Sequence, residues 1–391
     1  MRIFILSWEY PPRIVGGISR HVEGIAEALN KMKNEVHIIT LDFPNTPDFE
    51  DRGALIHRVK VEIPSQDFYR WVFLFNHFFE KRVGYIINKY GKPNIIHAHD
   101  WLTAIAGINL KHLLRVPLVF TFHSTESKRA MGIKSEESRM IYSIEWWASF
   151  EATRVITVSH SMKDEIIYLY NVPPEKVKVI PNGINLSKFN FSLDRSAVRK
   201  YFGLSDNEIV LLAVGRLTWQ KGFDNLIKAM PLILQRFYNT KLIIVGEGHL
   251  RRDLKTLAYQ LGVGDKVRFY GFLNDDDLLK MYKVTDILTI PSNYEPFGIV
   301  ALEGMASGLP IIVSGVDGLK EIVQNDINGV VVYPNDPNNL ANAIIKVISD
   351  REYYNWLVKN AHERVKKFSW ESLCNELLKA YEEAIKNARF E

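Results

Sequence analysis

Cysteine is nearly absent from this sequence of 391 residues, which contains Cys374 as its single example. One cysteine cannot form a disulfide within the chain, and the opening segment "MRIFILSWEYPP" has too short an apolar run, and no small-residue cleavage site, for a signal peptide. No window contains the roughly eighteen continuous apolar residues that a membrane-spanning helix needs. These absences argue against a disulfide-rich secreted scaffold and against a transmembrane protein, and they predict a cytoplasmic location.

A large excess of either charge is also missing. Lys and Arg total 49 against 45 Asp and Glu, and no basic run is long enough to follow a nucleic-acid backbone. With 47% hydrophobic and 24% charged residues, the composition is that of an ordinary globular protein without low-complexity segments. We therefore expect no nucleic-acid partner, and the length predicts two or three domains.

One segment is unusually aromatic. Residues 67–86, "DFYRWVFLFNHFFEKRVGYI", contain five Phe and one Trp with Arg and Lys at intervals. The simpler interpretation is a helix that packs an aromatic face into its own domain. The alternative is an interfacial patch for a membrane surface or a lipid-linked acceptor, which we regard as the less favoured of the two.

Short apolar runs rich in β-branched residues alternate with helical patterns along the whole chain. This alternation is typical of parallel sheets with crossover helices, so the sequence predicts an α/β protein with two doubly wound domains. A segment rich in turn residues, 179–198, separates two series of six strands. The predicted strands are "RIFILS", "EVHIIT", "NIIHAH", "PLVFTFH", "RVITVS" and "VKVIPNG", then "IVLLAVGRL", "KLIIVGEG", "VRFYGF", "DILTIPS", "PIIVSG" and "GVVVYP".

Polar residues and glycines follow several of these strands directly. Ligands of open parallel sheets bind outside the carboxyl ends of the strands, where loops lead into helix N-termini. The segments concerned are "SWEYPPRIVGG", "HAHDW", "HSTES", "GRLTWQKG" and "SNYEPFG". We expect both domains to present their chemistry on such an edge, and two facing edges would form a cleft that closes on a ligand.

Two cations lie close together in "VGRLTWQKGFDNL". Arg216 follows a strand and Lys221 comes just before a helix, so both cations and the helix N-terminus can converge on an anion with several negative charges. A diphosphate fits this description, and two solvated surface cations are the alternative. The glycine pair Gly16 and Gly17 also precedes a helix and leaves backbone N–H groups accessible to a phosphate or a sugar, although a plain turn explains it equally well.

Two glutamates lie eight residues apart in "PSNYEPFGIVALEGMASGLP". Glu295 falls in the loop after a strand, and Glu303 falls about a turn inside the following helix, which we expect to begin at Phe297. The two carboxylates cannot share one helical face, so a pair that shares a proton is disfavoured. Beside a diphosphate a carboxylate is repelled, which favours hydrogen bonds from neutral hydroxyls of a sugar and a ribose; a structural role is the alternative.

Histidines end two neighbouring strands. His97 and His99 lie on one face of "HAHDW", followed by Asp100, and this pattern raises the hypothesis of a metal site. No further cluster of His, Cys or carboxylate is evident to complete a ligand shell, so we predict no metal and assign these residues to a sugar pocket. His123 in "TFHSTE" is a second candidate there, with a structural histidine as the alternative.

Taken together, these motifs carry a family resemblance over essentially the whole chain. The segments "EYPPRIVGGISRHVEGIAEAL", "HAHDW", "TFHSTES", "VIPNGIN", "GRLTWQKG", "VGEG", "PSNYEPFGIVALEGMASGLP" and "FSWE" resemble the retaining GT-B glycosyltransferases of family 4 and the related glycogen and starch synthases. The resemblance implies two Rossmann-like domains facing a central cleft: residues 1–188 on the acceptor side, residues 189–370 for the nucleotide sugar, and a C-terminal helix, 371–391, that returns to the first domain.

The resemblance also implies roles for individual residues. Arg216 and Lys221 would bind the donor diphosphate, Glu295 would hold the donor sugar, and His123 would lie against the transferred sugar near the reacting carbon, so these four form the implied catalytic set. Glu303 would hold the ribose, and Asp100 with His123 would line the acceptor side. The remaining implied donor contacts are Gly16, Gly17, Gly248, Phe272, Leu273, Phe297, Gly298, Ile299 and Val300.

The implied activity is transfer of a hexose, glucose first, from a nucleotide diphosphate sugar such as UDP-glucose or ADP-glucose to a hydroxyl, with retention and without a metal or other cofactor. The acceptor stays open between an α-glucan, a lipid-linked sugar and a small molecule, because Arg13 stands where glycogen synthases usually carry Lys and the chain is shorter than most bacterial synthases. Two interpretations compete with a transferase: a nucleotide-sugar epimerase of the hydrolysing type, and a non-catalytic sugar-binding protein.

Overall fold

A computed structural model describes residues 1–65 and 67–388 of the chain. The strands are β1 Arg2–Leu6, β2 Glu35–Leu41, β3 Phe49–Asp51, β4 Leu55–Val59, β5 Ile95–His99, β6 Leu118–Phe122, β7 Arg154–Thr157, β8 Val177–Val179, β9 Ile209–Val214, β10 Thr240–Val245, β11 Val267–Gly271, β12 Ile287–Ile290, β13 Ile311–Ser314 and β14 Val330–Val332. All twelve strands predicted from the sequence are present, and β3 and β4 were not predicted.

The helices are α1 Gly17–Lys31, α2 Phe68–Tyr90, α3 Asp100–Leu114, α4 Glu126–Arg129, α5 Glu136–Glu151, α6 His160–Tyr170, α7 Arg195–Tyr201, α8 Phe223–Arg236, α9 Arg251–Gln260, α10 Asp275–Val284, α11 Ile299–Ser307, α12 Leu319–Ile322, α13 Pro337–Ser349, α14 Arg351–Val365 and α15 Trp370–Asn387. Several begin at a capping side chain: Asn274, for example, accepts a hydrogen bond from the N–H of Asp277 at the start of α10.

The chain forms two compact units. The first contains Met1–Gly183 together with the segment that begins at Trp370, and the second contains Ile184–Ser369. Each is a doubly wound α/β domain, as the sequence predicts. The first is built on an eight-stranded sheet in the order β3-β4-β2-β1-β5-β6-β7-β8, parallel except for β3, and the second on a parallel six-stranded sheet in the order β11-β10-β9-β12-β13-β14.

Buried apolar side chains from strands and covering helices form the core of each unit. In the first unit, Ile3 and Ile5 of β1 pack with Val22 and Ile25 of α1. Cys374, Leu377 and Tyr381 of α15 join the same cluster, so the C-terminal helix is part of the first unit, as predicted. In the second unit, Leu211, Leu226 and Leu242 belong to the equivalent cluster under α8.

The aromatic segment forms helix α2, whose Phe75 and Phe79 are fully buried while Phe68 and Phe73 stay partly exposed. An amphipathic helix packed on its own sheet accounts for the buried side chains. Among the described residues, no helix combines the length and apolarity needed to cross a bilayer.

Candidate functional site

The strand order of each sheet identifies the edge at which a ligand can bind. In the second unit β9 lies between β10 and β12, and in the first unit β1 lies between β2 and β5. In the second unit the chain continues from β9 to β10 on one side and from β12 to β13 on the other, and in the first unit it continues from β1 to β2 and from β5 to β6 in the same way. The loops after β9 and β12, and those after β1 and β5, therefore diverge and open a crevice at the carboxyl ends of the strands. Most of the residues predicted for the site follow β9, β12, β1, β5 and β6, whereas Gly248 follows β10 and Phe272 and Leu273 follow β11.

In the second unit, the loops after β9 and β12 meet through an ion pair. Nζ of Lys221 lies 2.6 Å from Oε2 of Glu295, and both side chains are largely buried. The hydroxyl of Ser292 lies 3.3 Å from the same carboxylate oxygen. The cation motif and the carboxylate loop, predicted separately from sequence, therefore form one polar cluster.

Backbone contacts fix the two loops against each other. The N–H of Asn293 donates to the carbonyl of Gln220 at 2.7 Å. Gly222, which precedes α8, has a φ of 58°, and a Cβ atom there would lie 2.1 Å from the carbonyl oxygen of Pro291. Only glycine satisfies both conditions, so the turn that carries Lys221 can approach β12 this closely.

Glu295 and Glu303 have separate surroundings. The N–H of Glu295 donates to Oδ2 of Asp317 at 3.1 Å, while the carboxylate of Glu303 accepts a hydrogen bond from the hydroxyl of Tyr282 at 2.7 Å. Helix α11 begins at Ile299, two residues later than predicted. Its N-cap is Gly298, which has a φ of 108°.

The other candidates of the second unit lie on the loops after β9 to β12 or, for Ile299 and Val300, at the start of α11. Arg216 and Phe272 are exposed, Leu273, Ile299 and Val300 are partly buried, and Phe297 is buried against the ring of Phe368. Gly248 is partly exposed, and a Cβ atom there would lie 2.4 Å from the carbonyl oxygen of Leu217. The side chain of Phe297 therefore belongs to the core, which leaves its backbone for any ligand contact.

In the first unit, the loop after β1 is organised around a buried carboxylate. Oε2 of Glu9 accepts hydrogen bonds from the N–H groups of Val15 and Gly16 at 2.6 and 2.8 Å. The N–H of Gly16 is thus already used within the protein, whereas the sequence alone suggested that it was open to a ligand. Gly17 begins α1 and is exposed.

Asp100 holds the loop after β6. Asp100 is the first residue of α3, and its φ of 57° is uncommon for a residue other than glycine. Its Oδ1 accepts a hydrogen bond from the backbone N–H of His123 at 2.7 Å. Burial raises the pKa of this carboxyl to about 6, against the opposing effect of Arg129. Asp100 therefore acts on His123 through the backbone.

A buried ionic network supports the same loop and was not predicted from sequence. The guanidinium of Arg129 lies 2.6 Å from the hydroxyl of Ser124, 3.0 Å from Glu126 and 3.1 Å from Glu145. Tyr170 donates to Glu145 at 2.6 Å, and burial raises the pKa of Glu145 to about 7. Only Ser124 and Glu126 lie in the "TFHSTES" motif, and nothing in the sequence links the distant Glu145 and Tyr170 to it.

Histidines from three elements meet beside this loop. The rings of His97 and His99 lie against each other with centres 4.1 Å apart and planes inclined by 38°, as expected for one face of β5. His21 of α1 adds a third ring, and ligand nitrogens of His21, His99 and His123 lie within 4.8 Å of one another. From sequence, no further cluster of His, Cys or carboxylate was evident to complete a ligand shell, and so His21 was missed, which α1 supplies from 76 residues earlier in the chain, beyond the reach of any spacing rule.

The rings of His99 and His123 are arranged as a hydrogen-bonded pair. Nδ1 of His99 and Nε2 of His123 are 3.0 Å apart, with ring centres 5.3 Å apart and planes inclined by 24°. These values describe two rings that meet edge to edge, with the N–H of one pointing at the lone pair of the other. A shared zinc ion needs both lone pairs to converge on it at about 2.0–2.1 Å, whereas the nitrogens of His99 and His123 face each other as a hydrogen-bonded pair.

Comparisons with known proteins give a consistent result. The model of the family described as glycosyltransferase family 4 matches residues 15–188, and that of glycosyl transferases group 1 matches residues 194–364. An uncharacterised glycosyltransferase of Methanocaldococcus jannaschii is 44% identical over 98% of this chain and 99% of its own length. The glycogen synthase of Mycobacterium tuberculosis is 33% identical over 97% of this chain and 94% of its own length.

Among solved structures, the sucrose-phosphate synthase of Thermosynechococcus elongatus superimposes with a TM-score of 0.82 at 28% identity, covering 97% of this chain and 98% of that one.

Proposed function

We propose that this chain, which belongs to family 4 of the GT-B glycosyltransferases and uses nucleotide sugars, transfers glucose to a glycan hydroxyl. The donor is a nucleotide diphosphate sugar, and the anomeric configuration is retained. The observation that carries the proposal is the contact between Lys221 and Glu295, because it joins a cation suited to a diphosphate to a carboxylate suited to sugar hydroxyls.

In this proposal, positive charge stabilises the departing diphosphate. Arg216 is exposed on the same loop as Lys221, and the N-terminus of α11 adds the positive end of a helix dipole. Charge builds on the leaving group in the transition state, so preorganised cations accelerate the bond-breaking step. We assign the neutralising role to these groups and include no metal ion in the donor site.

The two glutamates are assigned to opposite ends of the donor. Glu295 would accept hydrogen bonds from hydroxyls of the transferred sugar, and Lys221 beside it keeps a carboxylate tolerable near the phosphates. Glu303 lies further along α11 with Tyr282 and would accept the ribose hydroxyls. Because Glu295 is already bound to Lys221, we assign it no covalent role. The acceptor hydroxyl attacks from the face of the leaving phosphate, and that phosphate assists the deprotonation of the hydroxyl.

For the acceptor we favour an α-glucan, which rests on the likeness to the mycobacterial glycogen synthase over nearly the whole chain. The likeness to a sucrose-phosphate synthase favours a phosphorylated sugar as the second candidate. The groups that distinguish the two belong to the first unit, where Asp100 and His123 line the carboxyl ends of β5 and β6.

The test is to incubate the protein with UDP-, ADP- and GDP-glucose in turn, with glycogen, with glucose or fructose phosphates, or with no acceptor, and to measure release of the nucleoside diphosphate. We expect one donor to give release that depends on an acceptor, with glycogen the best. The Lys221→Met variant should reduce that rate at least about a hundredfold, since it removes one charge-assisted contact and unpairs Glu295.

Two different outcomes would contradict the proposal. Equal release with and without acceptor would favour a hydrolysing epimerase, and donor binding without release under any acceptor would favour a non-catalytic sugar-binding protein. A Lys228→Met variant is the matched control, because Lys228 pairs with Asp224 on the exposed part of α8 and should leave the rate unchanged.

A further inference from the structure

The hydrogen bond between His99 and His123 leaves one ring nitrogen of His123 available to a ligand. Nε2 of His123 is bound to Nδ1 of His99 at 3.0 Å. Nδ1 of His123 makes no hydrogen bond within the described residues, and the side chain is only partly buried. Any polar contact from this ring to a substrate is therefore made through Nδ1.

The ring of His99 is closed to solvent on its other side. His99 has no exposed surface, and its Nε2 is buried without a hydrogen-bond partner among the described residues. Burial lowers the pKa of His99 well below its usual value and that of His123 to about 3, so both rings are neutral at pH 7. Each ring then carries a single N–H, and two tautomeric arrangements of the pair are possible.

The two arrangements differ in what is left buried. If His123 donates from Nε2, the single N–H of His99 must be on its own Nε2, where it is a buried donor without an acceptor. Orphaned buried N–H groups are rare in folded proteins, and they are less well tolerated than acceptors that lack a partner. If His99 donates from Nδ1, its Nε2 is an unprotonated nitrogen, and the pair leaves no buried N–H without a partner.

We propose that His99 donates Nδ1–H to Nε2 of His123 and so fixes His123 in the tautomer whose N–H is on Nδ1. His99 is then a positioning residue, and His123 presents a hydrogen-bond donor to its ligand. The identity of that ligand, an oxygen of the transferred sugar or of the acceptor, rests on the function proposed above.

This assignment specifies what His123 can do. Its only lone pair is directed at His99, so His123 cannot take a proton from the acceptor hydroxyl as a general base. The Nδ1–H of His123 can instead donate to a hydroxyl oxygen of the ligand, so the site favours ligands that place an oxygen lone pair at this position. Asp100 holds the backbone of the same residue at 2.7 Å, so ring and main chain are fixed from two different elements.

The direct test is ¹⁵N NMR of the full-length protein labelled at histidine, because a protonated ring nitrogen and an unprotonated one have well separated chemical shifts. Comparison with the His123→Gln variant assigns the signals of that ring. We expect the Nδ1–H tautomer at His123 in the absence of any substrate. The Nε2–H tautomer, or a mixture of the two, would overturn the inference.

A kinetic comparison adds a second measurement. The His99→Leu variant removes the hydrogen bond to His123 and should lower kcat about tenfold, with little change in the KM for the nucleotide sugar. The amide nitrogen of a His99→Asn variant lies near the position of Nδ1, so this variant should recover most of the loss. Equal losses in the two variants would contradict the positioning role. The NMR measurement needs no catalysis, so failure of the proposed function would leave this inference open to the same test.

Discussion

At the scale of single residues, the two glutamates of the second unit have different partners, and our proposal assigns them to opposite ends of the donor. Glu295, on the loop after β12, forms an ion pair with Lys221, and Glu303, in α11, accepts a hydrogen bond from Tyr282. Carboxylates with different partners contribute differently to binding and to turnover. A substitution that keeps the shape of the side chain but removes its charge separates the two roles.

We expect Glu295→Gln to lower kcat about a hundredfold. It weakens a charge-assisted contact at the reacting end of the donor, and such hydrogen bonds are worth about 1.5–3 kcal/mol. Glu303→Gln should raise the KM for the donor about tenfold and leave kcat within about threefold, because the ribose lies away from the bond that breaks. Initial rates over a range of donor concentrations measure both, and an exchange of the two patterns would refute the assignment.

The position of these side chains could be predicted from sequence, but their partners could not. Glu295 and Lys221 follow predicted strands, and strand ends of a parallel sheet lie at one edge. Their ion pair depends on the turn at Gly222, whose φ of 58° and approach to Pro291 are properties of the folded loop. The hydrogen bond between Glu303 and Tyr282 joins two helices and has no signal in spacing.

At the scale of secondary structure elements, α15 is held against the first unit by a ring that fills space left by glycines. A Cβ atom on Gly24 of α1 would lie 2.1 Å from the indole of Trp370, and one on Gly183 would lie 2.5 Å from it. The first residue of α15 therefore packs where two backbone segments carry no side chain. Close contact of this kind fixes the start of the helix.

We expect Gly24→Ala to destabilise the protein by about 1–3 kcal/mol, because the added methyl group must displace the indole of Trp370. Gly84→Ala is the matched control: this glycine also lies inside a helix, α2, but a Cβ atom there has nothing within 4 Å. Removing a mid-helix glycine should stabilise by about 0.5–1 kcal/mol. Urea denaturation measures both, and equal effects would show that Trp370 is not packed as described.

Elements were predictable where their signals were local. Twelve strands have apolar, β-branched runs, and all of them are present. Strand β4, "LIHRV", was missed because His57 and Arg58 interrupt its apolar run. Arg58 is nevertheless buried, and its guanidinium is satisfied by Glu50 at 2.9 Å and the carbonyl of Pro11 at 3.1 Å, partners that only the tertiary structure supplies.

At the scale of the whole molecule, the chain consists of two domains of the same architecture with different chemistry at their strand ends. The second unit presents cations and carboxylates after β9 and β12, and the first presents histidines and Asp100 after β5 and β6. The presence of two α/β domains could be predicted from sequence, because each series of six strands alternates with helical segments that can cover its own sheet. The histidine cluster was not, since His21, His99 and His123 come from α1, β5 and the loop after β6 and only the fold brings them together.

Whether a hexose is transferred with retention is seen directly by ¹H NMR of the reaction while it proceeds. With an α-linked donor and the acceptor found in the release assay, we expect an α-linked product to appear at the rate at which nucleoside diphosphate is released. Formation of a β-linked product, or of free sugar in place of a new glycoside, would contradict the proposed transfer with retention.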